Sequence, residues 1–193
     1  MRMLATRTRG CAGRYNGSAI NRWLCEGWRR KSVMEKIGFG GGCHWCTEGI
    51  FQTLHGVAQV DQGFIQSTPP SDRWAEGVII LFDPMIISLE TLAEVHLRTH
   101  SANGIYSPGG RYRSAIYTFA AEQVAEAARA IDRFASESGQ PPRTAVLPFI
   151  GFKPSEPRYQ NYYKTAPDRP FCRRYIDPKL AYIRRHFAAV VRP

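Results

Sequence analysis

The order of hydrophobic and polar positions in this chain predicts a mixed α and β domain. The run AEGVIILF at 75–82 is almost continuously apolar, which indicates a central strand buried on both faces. Elsewhere the apolar residues recur at helical spacing. We predict strands at 36–40, 57–65, 75–82, 112–119 and 144–149, and helices at 43–54, 89–99 and 122–138, with helical segments at 155–163 and from Asp177 onward.

The predicted elements follow one another in the order βαββαβ, with additional helices at the C-terminus. With short connections, this order favours an α+β fold, a ferredoxin-like α/β sandwich. No apolar run approaches the roughly 18 residues that a membrane-spanning helix needs. We therefore expect no transmembrane helix. We predict one folded domain over residues 34–193 and no membrane as a partner.

The positive charge of the chain is concentrated at its N-terminus. Residues 1–33 hold eight basic side chains against Glu26 alone, so the other 160 residues carry only +3 of the formal net charge of +10. That small excess gives little support for a nucleic-acid surface on the folded part. We expect residues 1–33 to be a basic extension that is disordered or precedes the true start at Met34. An Arg-rich transit peptide is the alternative.

The cysteines are too few, and odd in number, for a secreted disulfide scaffold. Cys11 and Cys25 lie in the basic extension, Cys43 and Cys46 form a C-x-x-C pair, and Cys172 stands alone near the C-terminus. This usage favours reactive or spare thiols in a reducing compartment. We therefore expect a cytoplasmic protein.

The strongest chemical signal is the segment GGGCHWC at 40–46. A predicted strand leads into a glycine turn, and Cys43 stands where a helix begins. The unpaired backbone N–H groups of a helix start favour a thiolate over a thiol. The pattern therefore predicts that Cys43 has a lowered pKa and is reactive, rather than a buried structural cysteine.

Three functions use such a cysteine pair: disulfide exchange, structural zinc binding, and catalysis by a nucleophilic cysteine with a partner thiol. Zinc needs four ligands, and no second C-x-x-C or H-x-x-x-H pair accompanies this one. We therefore expect no metal site and no cofactor, and the other two functions stay open on the residues alone. The remaining histidines are predicted to be surface or packing residues: His55, His96, His100 and His186.

Four blocks of the chain, in the right order, resemble the class A peptide methionine sulfoxide reductases. GGCHWCTEGIFQTLHGV, from Gly41, is similar to that family's G-C-F-W signature, and WAEGVIILFDP at 74–84 looks like the segment around its catalytic glutamate. RYRSAIY at 111–117 is similar to its Q-Y-R-S-x-I/V-Y segment. The tail with Tyr159-Gln160-Asn161-Tyr162 and Cys172 resembles the one that carries its resolving cysteine.

The resemblance implies an oxidoreductase that reduces the S epimer of methionine sulfoxide, free or in peptides. Cys43 would be the nucleophile and would become a sulfenic acid, which condenses readily with a thiol. The departing oxygen needs a proton or a strong hydrogen bond. Glu76 would supply it if burial keeps its carboxyl neutral, and Tyr112 would donate a second hydrogen bond.

The resemblance also implies the substrate pocket and the route back to the reduced enzyme. Trp45 would form an apolar wall for the S-methyl group, and His44 replaces the family's Phe in that wall. By family position Cys172 is the resolving thiol, and Cys46 is a local competitor. Thioredoxin or a similar thiol would then reduce the intramolecular disulfide. The loop at 63–74 is shorter than in the family, which indicates a divergent subgroup.

Two other classes of function are weighed against this one. A general thiol–disulfide oxidoreductase would use Cys43 and Cys46, but no thioredoxin-like βαβ unit precedes the C-x-x-C. A binding protein would use residues 1–33 to contact RNA, DNA or acidic membranes. We expect a monomer whose partners are oxidised proteins or free methionine sulfoxide, and thioredoxin, with no nucleic acid.

Overall fold

The computed structural model describes residues 33–100 and 109–192, so all but the last residue of the predicted basic extension lies outside the described part. Its strands are β1 (Glu35–Gly40), β2 (Val57–Gln66), β3 (Ala75–Phe82), β4 (Ala115–Thr118), β5 (Ala145–Pro148) and β6 (Gly151–Pro154). Its α-helices are α1 (His44–Phe51), α2 (Leu89–Thr99), α3 (Ala121–Ser138), α4 (Tyr162–Thr165) and α5 (Asp177–His186). Within these residues no helix is both long and apolar enough to cross a membrane.

The six strands form one sheet in the order β5-β4-β1-β3-β2-β6. Its central four strands, β4-β1-β3-β2, are antiparallel to one another, and with α1 and α2 they give the βαββαβ connectivity of a ferredoxin-like sandwich. β5 extends one edge in parallel with β4, and β6 extends the other edge antiparallel to β2. The predicted α+β, ferredoxin-like fold is therefore confirmed, and AEGVIILF is an inner strand.

The alternation of side chains along β3 places a carboxyl group on the helix-covered face of the sheet. Val78, Ile80 and Phe82 all belong to the main core, together with residues of α1 and α2. Because every second residue of a strand faces the same way, Glu76 lies on that face at the beginning of β3. Its partner in the register is Phe64 of β2.

The predicted strand at 112–119 is shortened at its N-terminal end to Ala115–Thr118. Arg113 explains the difference, because its guanidinium is buried beside the loop before β3. It donates to the backbone carbonyls of Ser71 at 2.6 Å and Arg73 at 2.9 Å. Residues 111–114 therefore form a turn that packs against this loop, and the turn brings Arg111 beside β3.

The C-terminal segment returns to the start of α1. A short 3₁₀ turn, Pro157–Tyr159, precedes α4, and a π-helical turn, Cys172–Ile176, runs directly into α5. The helix predicted to begin at Asp177 therefore continues an earlier helical turn. Cys172 and Ile176 are buried in the same core as Cys46.

Candidate active site

Cys43 occupies the N-cap position of α1, with extended backbone before the helix starts at His44. The Cys46 thiol, one turn into the helix, hydrogen-bonds the Cys43 sulfur. That bond is the main cause that lowers the pKa of Cys43 from 9.0 to about 7, and the backbone N–H groups of Cys46 and Trp45 add to it against the opposing effect of burial. The same contact and burial raise the pKa of Cys46. Of the two cysteines, Cys43 is therefore the one that forms a thiolate near neutral pH, while Cys46 remains a thiol.

Two histidines, His96 and His100, pack against the glycine turn before Cys43. Gly41 has φ +142°, and a Cβ there would lie 2.5 Å from the His100 ring. His96 Nε2 bonds the Gly40 carbonyl at 2.9 Å, and the His96 and His100 rings stack with centroids 4.0 Å apart. Burial lowers the pKa of His96 well below its usual range and that of His100 to about 4. Both rings are therefore neutral supports of the turn at physiological pH.

The carboxyl group of Glu76 is 4% exposed and is surrounded by hydrogen-bond donors. Arg111 Nε donates to Oε1 at 2.7 Å, while the backbone N–H of His44 donates to Oε2 at 3.3 Å. The bond to this carboxylate raises the pKa of Arg111. Because His44 is the first residue of α1, the helix that begins with the reactive thiol also contacts the buried carboxyl group directly.

The side chain of His44 lies between β2 and β3. Its Nδ1 is 2.9 Å from the carbonyl oxygen of Gly63, and its Nε2 is 3.8 Å from Oε2 of Glu76. The rings of Phe64 and Trp45 pack against it, with centroids 5.6 Å and 6.0 Å away. His44 is thus a buried polar group that faces the carboxyl of Glu76.

Tyr112 is the most exposed of the sequence-predicted site residues, at 57%. Its ring centroid is 5.8 Å from the guanidinium carbon of Arg111. The backbone of the same turn is fixed to β3, since the Glu76 N–H donates to the Arg111 carbonyl at 2.7 Å. His44 therefore contacts Glu76, and Cys43 is its neighbour in the chain. Tyr112 lies on the turn that is hydrogen-bonded to β3 at Glu76.

Trp45 packs into an aromatic group formed by the C-terminal segment. It stacks on Tyr162 with centroids 4.2 Å apart and 4° between the planes, and Phe171 meets it edge-on at 5.5 Å. Glu48, one turn further along α1, accepts the backbone N–H groups of Asn161 at 2.6 Å and Tyr162 at 2.8 Å. A fully buried carboxyl group thus fixes the segment against which the Trp45 ring packs.

Cys172 is fully buried in its π-helical turn, where its sulfur lies 3.6 Å from the Ala166 carbonyl oxygen. Burial raises its pKa. It shares the main core with Cys46, and Cys43 packs against that core. All three of these cysteines are free thiols. Across residues 33–100 and 109–192, no cluster of three His, Cys, Asp or Glu side chains could hold a metal ion.

Sequence reasoning missed four residues that shape the site: Arg111, Glu48, His96 and His100. Arg111 directly precedes Tyr112 in the segment RYRSAIY. Nothing in the sequence indicated that its side chain would reach Glu76. Glu48 falls on the apolar side of a predicted helix, and this mismatch with amphipathic spacing is a usable signal of a buried carboxyl group. The two histidines are four residues apart, His96 in the last turn of α2 and His100 at its C-cap, a spacing that brings their rings together.

A hydrogen-bonded thiolate–thiol pair at a helix start, beside a buried carboxyl group, defines a thiol-based oxidoreductase on a ferredoxin-like sandwich. The comparisons with known proteins make this assignment narrower. Residues 35–190 match the family model described as "Peptide methionine sulfoxide reductase". The chain is 31% identical over 194 residues to the peptide methionine sulfoxide reductase MsrA of Deinococcus radiodurans, covering 92% of this chain and 94% of that relative.

Two solved structures have the same fold. Mxr1 of Saccharomyces cerevisiae in reduced form gives a TM-score of 0.63 at 20% identity, covering 74% of this chain and 91% of that one. Mxr1 in complex with Trx2 gives a TM-score of 0.54 at 18% identity, covering 68% of this chain and 86% of that one. The chain belongs to the peptide methionine sulfoxide reductase family. The predicted activity, a thiol-dependent oxidoreductase of methionine sulfoxide, is confirmed at the level of the family.

Proposed function

We propose that this protein reduces the S epimer of methionine sulfoxide, free or in peptides, with Cys43 as the nucleophile. The observation that carries the proposal is that the helix capped by Cys43 contacts the buried carboxyl group of Glu76 at its first residue. The pKa of Cys43 is lowered to about 7, and the next residue in the chain touches the buried carboxyl group of Glu76 at 3.3 Å. A thiolate and a proton-transfer group at one helix start are what sulfoxide reduction needs.

The reaction passes through a sulfenic acid on Cys43. The Cys43 thiolate attacks the sulfoxide sulfur while the sulfoxide oxygen takes up one proton, delivered by Glu76. The S–O bond of the substrate breaks, and the hydroxyl group passes to the Cys43 sulfur. The substrate leaves as the thioether methionine, reduced by two electrons, and Cys43 is oxidised to the sulfenic acid.

The substrate pocket in this proposal has one apolar wall and one polar wall. The Trp45 ring, held by Tyr162 and Phe171, supplies the wall for the S-methyl group. His44 forms the adjoining, polar wall, and Tyr112, exposed on its turn, donates to the sulfoxide oxygen as the substrate enters. Aromatic faces suit a soft thioether or sulfoxide methyl group.

Cys46 resolves the sulfenic acid. Its thiol already hydrogen-bonds the Cys43 sulfur, so condensation to a Cys43–Cys46 disulfide and one water needs little movement. Cys172, the resolving thiol by family position, is fully buried in a helical turn, with its sulfur 3.6 Å from the Ala166 carbonyl oxygen. If Cys46 resolves, Cys172→Ala keeps thioredoxin-driven turnover and Cys46→Ala loses it. The reverse result would assign the role to Cys172.

A dithiol protein such as thioredoxin reduces the disulfide again, by attack on the half-exposed Cys43 sulfur. Mxr1 has the same fold as this chain, and its solved complex with Trx2 supports such a partner. The three described cysteines are free thiols, which supports action in a reducing compartment such as the cytoplasm. The thiols carry all the electrons of the cycle, so the proposal requires no cofactor.

The decisive test is a kinetic assay on the resolved S and R sulfoxides with dithiothreitol as reductant. We expect turnover of the S epimer only, and complete loss of turnover in Cys43→Ser. Reduction of both epimers, or turnover retained in Cys43→Ser, would overturn the proposal. Cys11 and Cys25 provide the control, because replacing both with Ser should leave the rate unchanged.

The same cysteine pair supports a second candidate function, a general thiol–disulfide oxidoreductase. A thiolate hydrogen-bonded by the thiol three residues later is the arrangement that disulfide exchange uses. Reduction of insulin disulfides, with no reduction of either sulfoxide epimer, would favour this candidate.

A further inference from the structure

The carboxyl group of Glu76 has an unusual set of neighbours for a group that must donate a proton. Arg111 donates to Oε1 at 2.7 Å, and the His44 backbone donates to Oε2 at 3.3 Å. A cation and a backbone donor both favour the charged form of a carboxyl group. Both carboxyl oxygens of Glu76 therefore accept hydrogen bonds, and a neighbouring group must supply the proton for the sulfoxide oxygen.

His44 is the group placed to store it. The Gly63 carbonyl can only accept a hydrogen bond, so Nδ1 of His44, 2.9 Å away, carries a hydrogen. Nε2 is therefore the ring nitrogen available to take up or release a proton, and it lies 3.8 Å from Oε2 of Glu76. A proton on Nε2 makes an ion pair with the carboxylate, and a small rotation of either side chain brings the two atoms to hydrogen-bond distance.

Both of these neighbours are departures from the sequence motifs that the chain otherwise follows. His44 stands where the G-C-F-W signature has Phe, and Arg111 stands where the Q-Y-R-S segment has Gln. Neither Phe nor Gln can hold a charge, whereas here a cation and a titratable ring both face the same carboxyl group. The two changes are complementary, because Arg111 favours loss of the proton from Glu76 and His44 supplies one to it.

We propose that His44 holds the proton for the reaction and passes it through Glu76 to the sulfoxide oxygen, resting on the function proposed above. In this step Nε2–H of the imidazolium gives its proton to Oε2, and Glu76 gives a proton to the departing oxygen. His44 is left neutral and takes up a proton from water. His44 is a positioning residue, since it acts through Glu76, and the groups that set its protonation are Glu76 on β3, Arg111 on the turn, and Cys43 beside it.

The test compares four proteins over pH 5 to 9: the wild type, His44→Phe, Arg111→Gln, and the double variant, with His55→Phe as the exposed-histidine control. With a saturating S sulfoxide and dithiothreitol, His44→Phe should lower kcat at neutral pH roughly tenfold to a hundredfold, with little change in KM. The double variant should recover most of that loss, because removing Arg111 lets Glu76 hold a proton by itself. His55→Phe should match the wild type.

The pH profile separates this role from a packing role. The wild type should lose kcat at alkaline pH as the proton leaves the His44–Glu76 pair, and this limb should move in His44→Phe. Equal kcat and an unchanged profile in His44→Phe would overturn the inference. So would a double variant no more active than His44→Phe.

If the variants fold poorly, NMR of the His44 ring tests the inference without an activity assay. The ring nitrogens of His44, followed by NMR in the wild type, should show Nδ1 protonated at every pH and Nε2 titrating with a midpoint that falls in Glu76→Gln. A ring protonated on Nε2 alone at high pH would contradict the proposal. Failure of the proposed function would look different, since the wild type itself would then not reduce the S sulfoxide.

Discussion

Two buried carboxyl groups meet at the short helix α1, where Glu76 contacts the first residue and Glu48 lies within the helix, and they are held in different ways. Glu48 on α1 is fully buried and accepts two backbone N–H groups, from Asn161 and Tyr162. Glu76 on β3 is 4% exposed and accepts one backbone N–H, with the side chains of Arg111 and His44 supplying the rest of its surroundings.

The difference separates a structural carboxyl group from a reactive one. Backbone N–H groups cannot move away without unfolding the segment, so Glu48 keeps both of its hydrogen bonds while the protein is folded. Burial raises the pKa of Glu48, while the two N–H groups oppose the shift. The partners of Glu76 are side chains, and the Arg111 side chain is 65% exposed. Side chains can rotate during a reaction, so Glu76 can give up its contacts to a substrate.

The largest expected effect is on catalysis at Glu76. Glu76→Gln should lower kcat by roughly 10² to 10⁴ fold, because an amide cannot deliver the proton. Its free energy of unfolding should change by less than about 1 kcal/mol, because the amide oxygen of Gln can still accept a hydrogen bond from Arg111, whose side chain is 65% exposed. Steady-state kinetics and urea unfolding measure the two effects. Glu94→Gln, on the surface of α2, is the matched control and should change neither.

Glu48 should give the opposite result. Glu48→Ala leaves two buried N–H groups without partners, which costs roughly 2 to 5 kcal/mol of the free energy of unfolding. The kcat of the protein that remains folded should fall much less than in Glu76→Gln. Urea unfolding, with activity corrected for the folded fraction, checks this. If Glu48→Ala lost kcat as completely as Glu76→Gln without losing stability, the distinction between the two carboxyl groups would be wrong.

A smaller effect is expected on the pKa of Cys43. The Cys46 thiol is the main cause that lowers the pKa of Cys43 to about 7. A lowered pKa means that the thiolate fraction rises with pH through about 7 in the wild type, so Cys46→Ala should move that midpoint upward, towards 9.0. The rate of Cys43 alkylation by iodoacetamide at pH 7 should then fall about tenfold or more.

The control for that measurement is Cys172→Ala, which removes a buried thiol that does not set the pKa of Cys43. Its alkylation midpoint should stay at the wild-type pH. An unchanged midpoint in Cys46→Ala would show that the helix N–H groups alone stabilise the thiolate.

The smallest effect tests the aromatic group beside Glu48. Tyr162→Leu removes the ring that stacks on Trp45 at 4.2 Å and leaves the backbone N–H bond to Glu48 in place. The loss of one aromatic pair should cost about 0.5 to 1.5 kcal/mol of stability and raise KM for the sulfoxide more than it lowers kcat. Thermal unfolding and a substrate titration measure the two. A lower kcat with unchanged KM would mean that Trp45 does not form the methyl pocket.

Much of this fold could be predicted from the sequence because its signals are local. The run at 75–82 is a central strand, and Cys43 stands at a helix start, as strand composition and the glycine turn indicated. The edge strand β6 was missed, since four residues with two half-buried positions give no periodic signal. The strand predicted from Tyr112 starts at Ala115 because Arg113 bonds a distant loop.

The surroundings of the site residues could not be predicted, because they depend on contacts between distant parts of the chain. Cys43, His44 and Glu76 were named from motif positions, and their roles stay proposals. That Arg111 would reach Glu76, 35 positions earlier, and that Glu48 would accept N–H groups more than 110 positions later, follows only from the sheet order and from the return of the C-terminal segment.

The central claim is tested most directly by a single turnover of the fully reduced protein with the S sulfoxide and no other reductant, followed by mass spectrometry of the cysteine-containing peptides. We expect methionine to form together with a Cys43–Cys46 disulfide. Methionine formed while Cys43 remains a free thiol, or no methionine from the S epimer, would contradict the account.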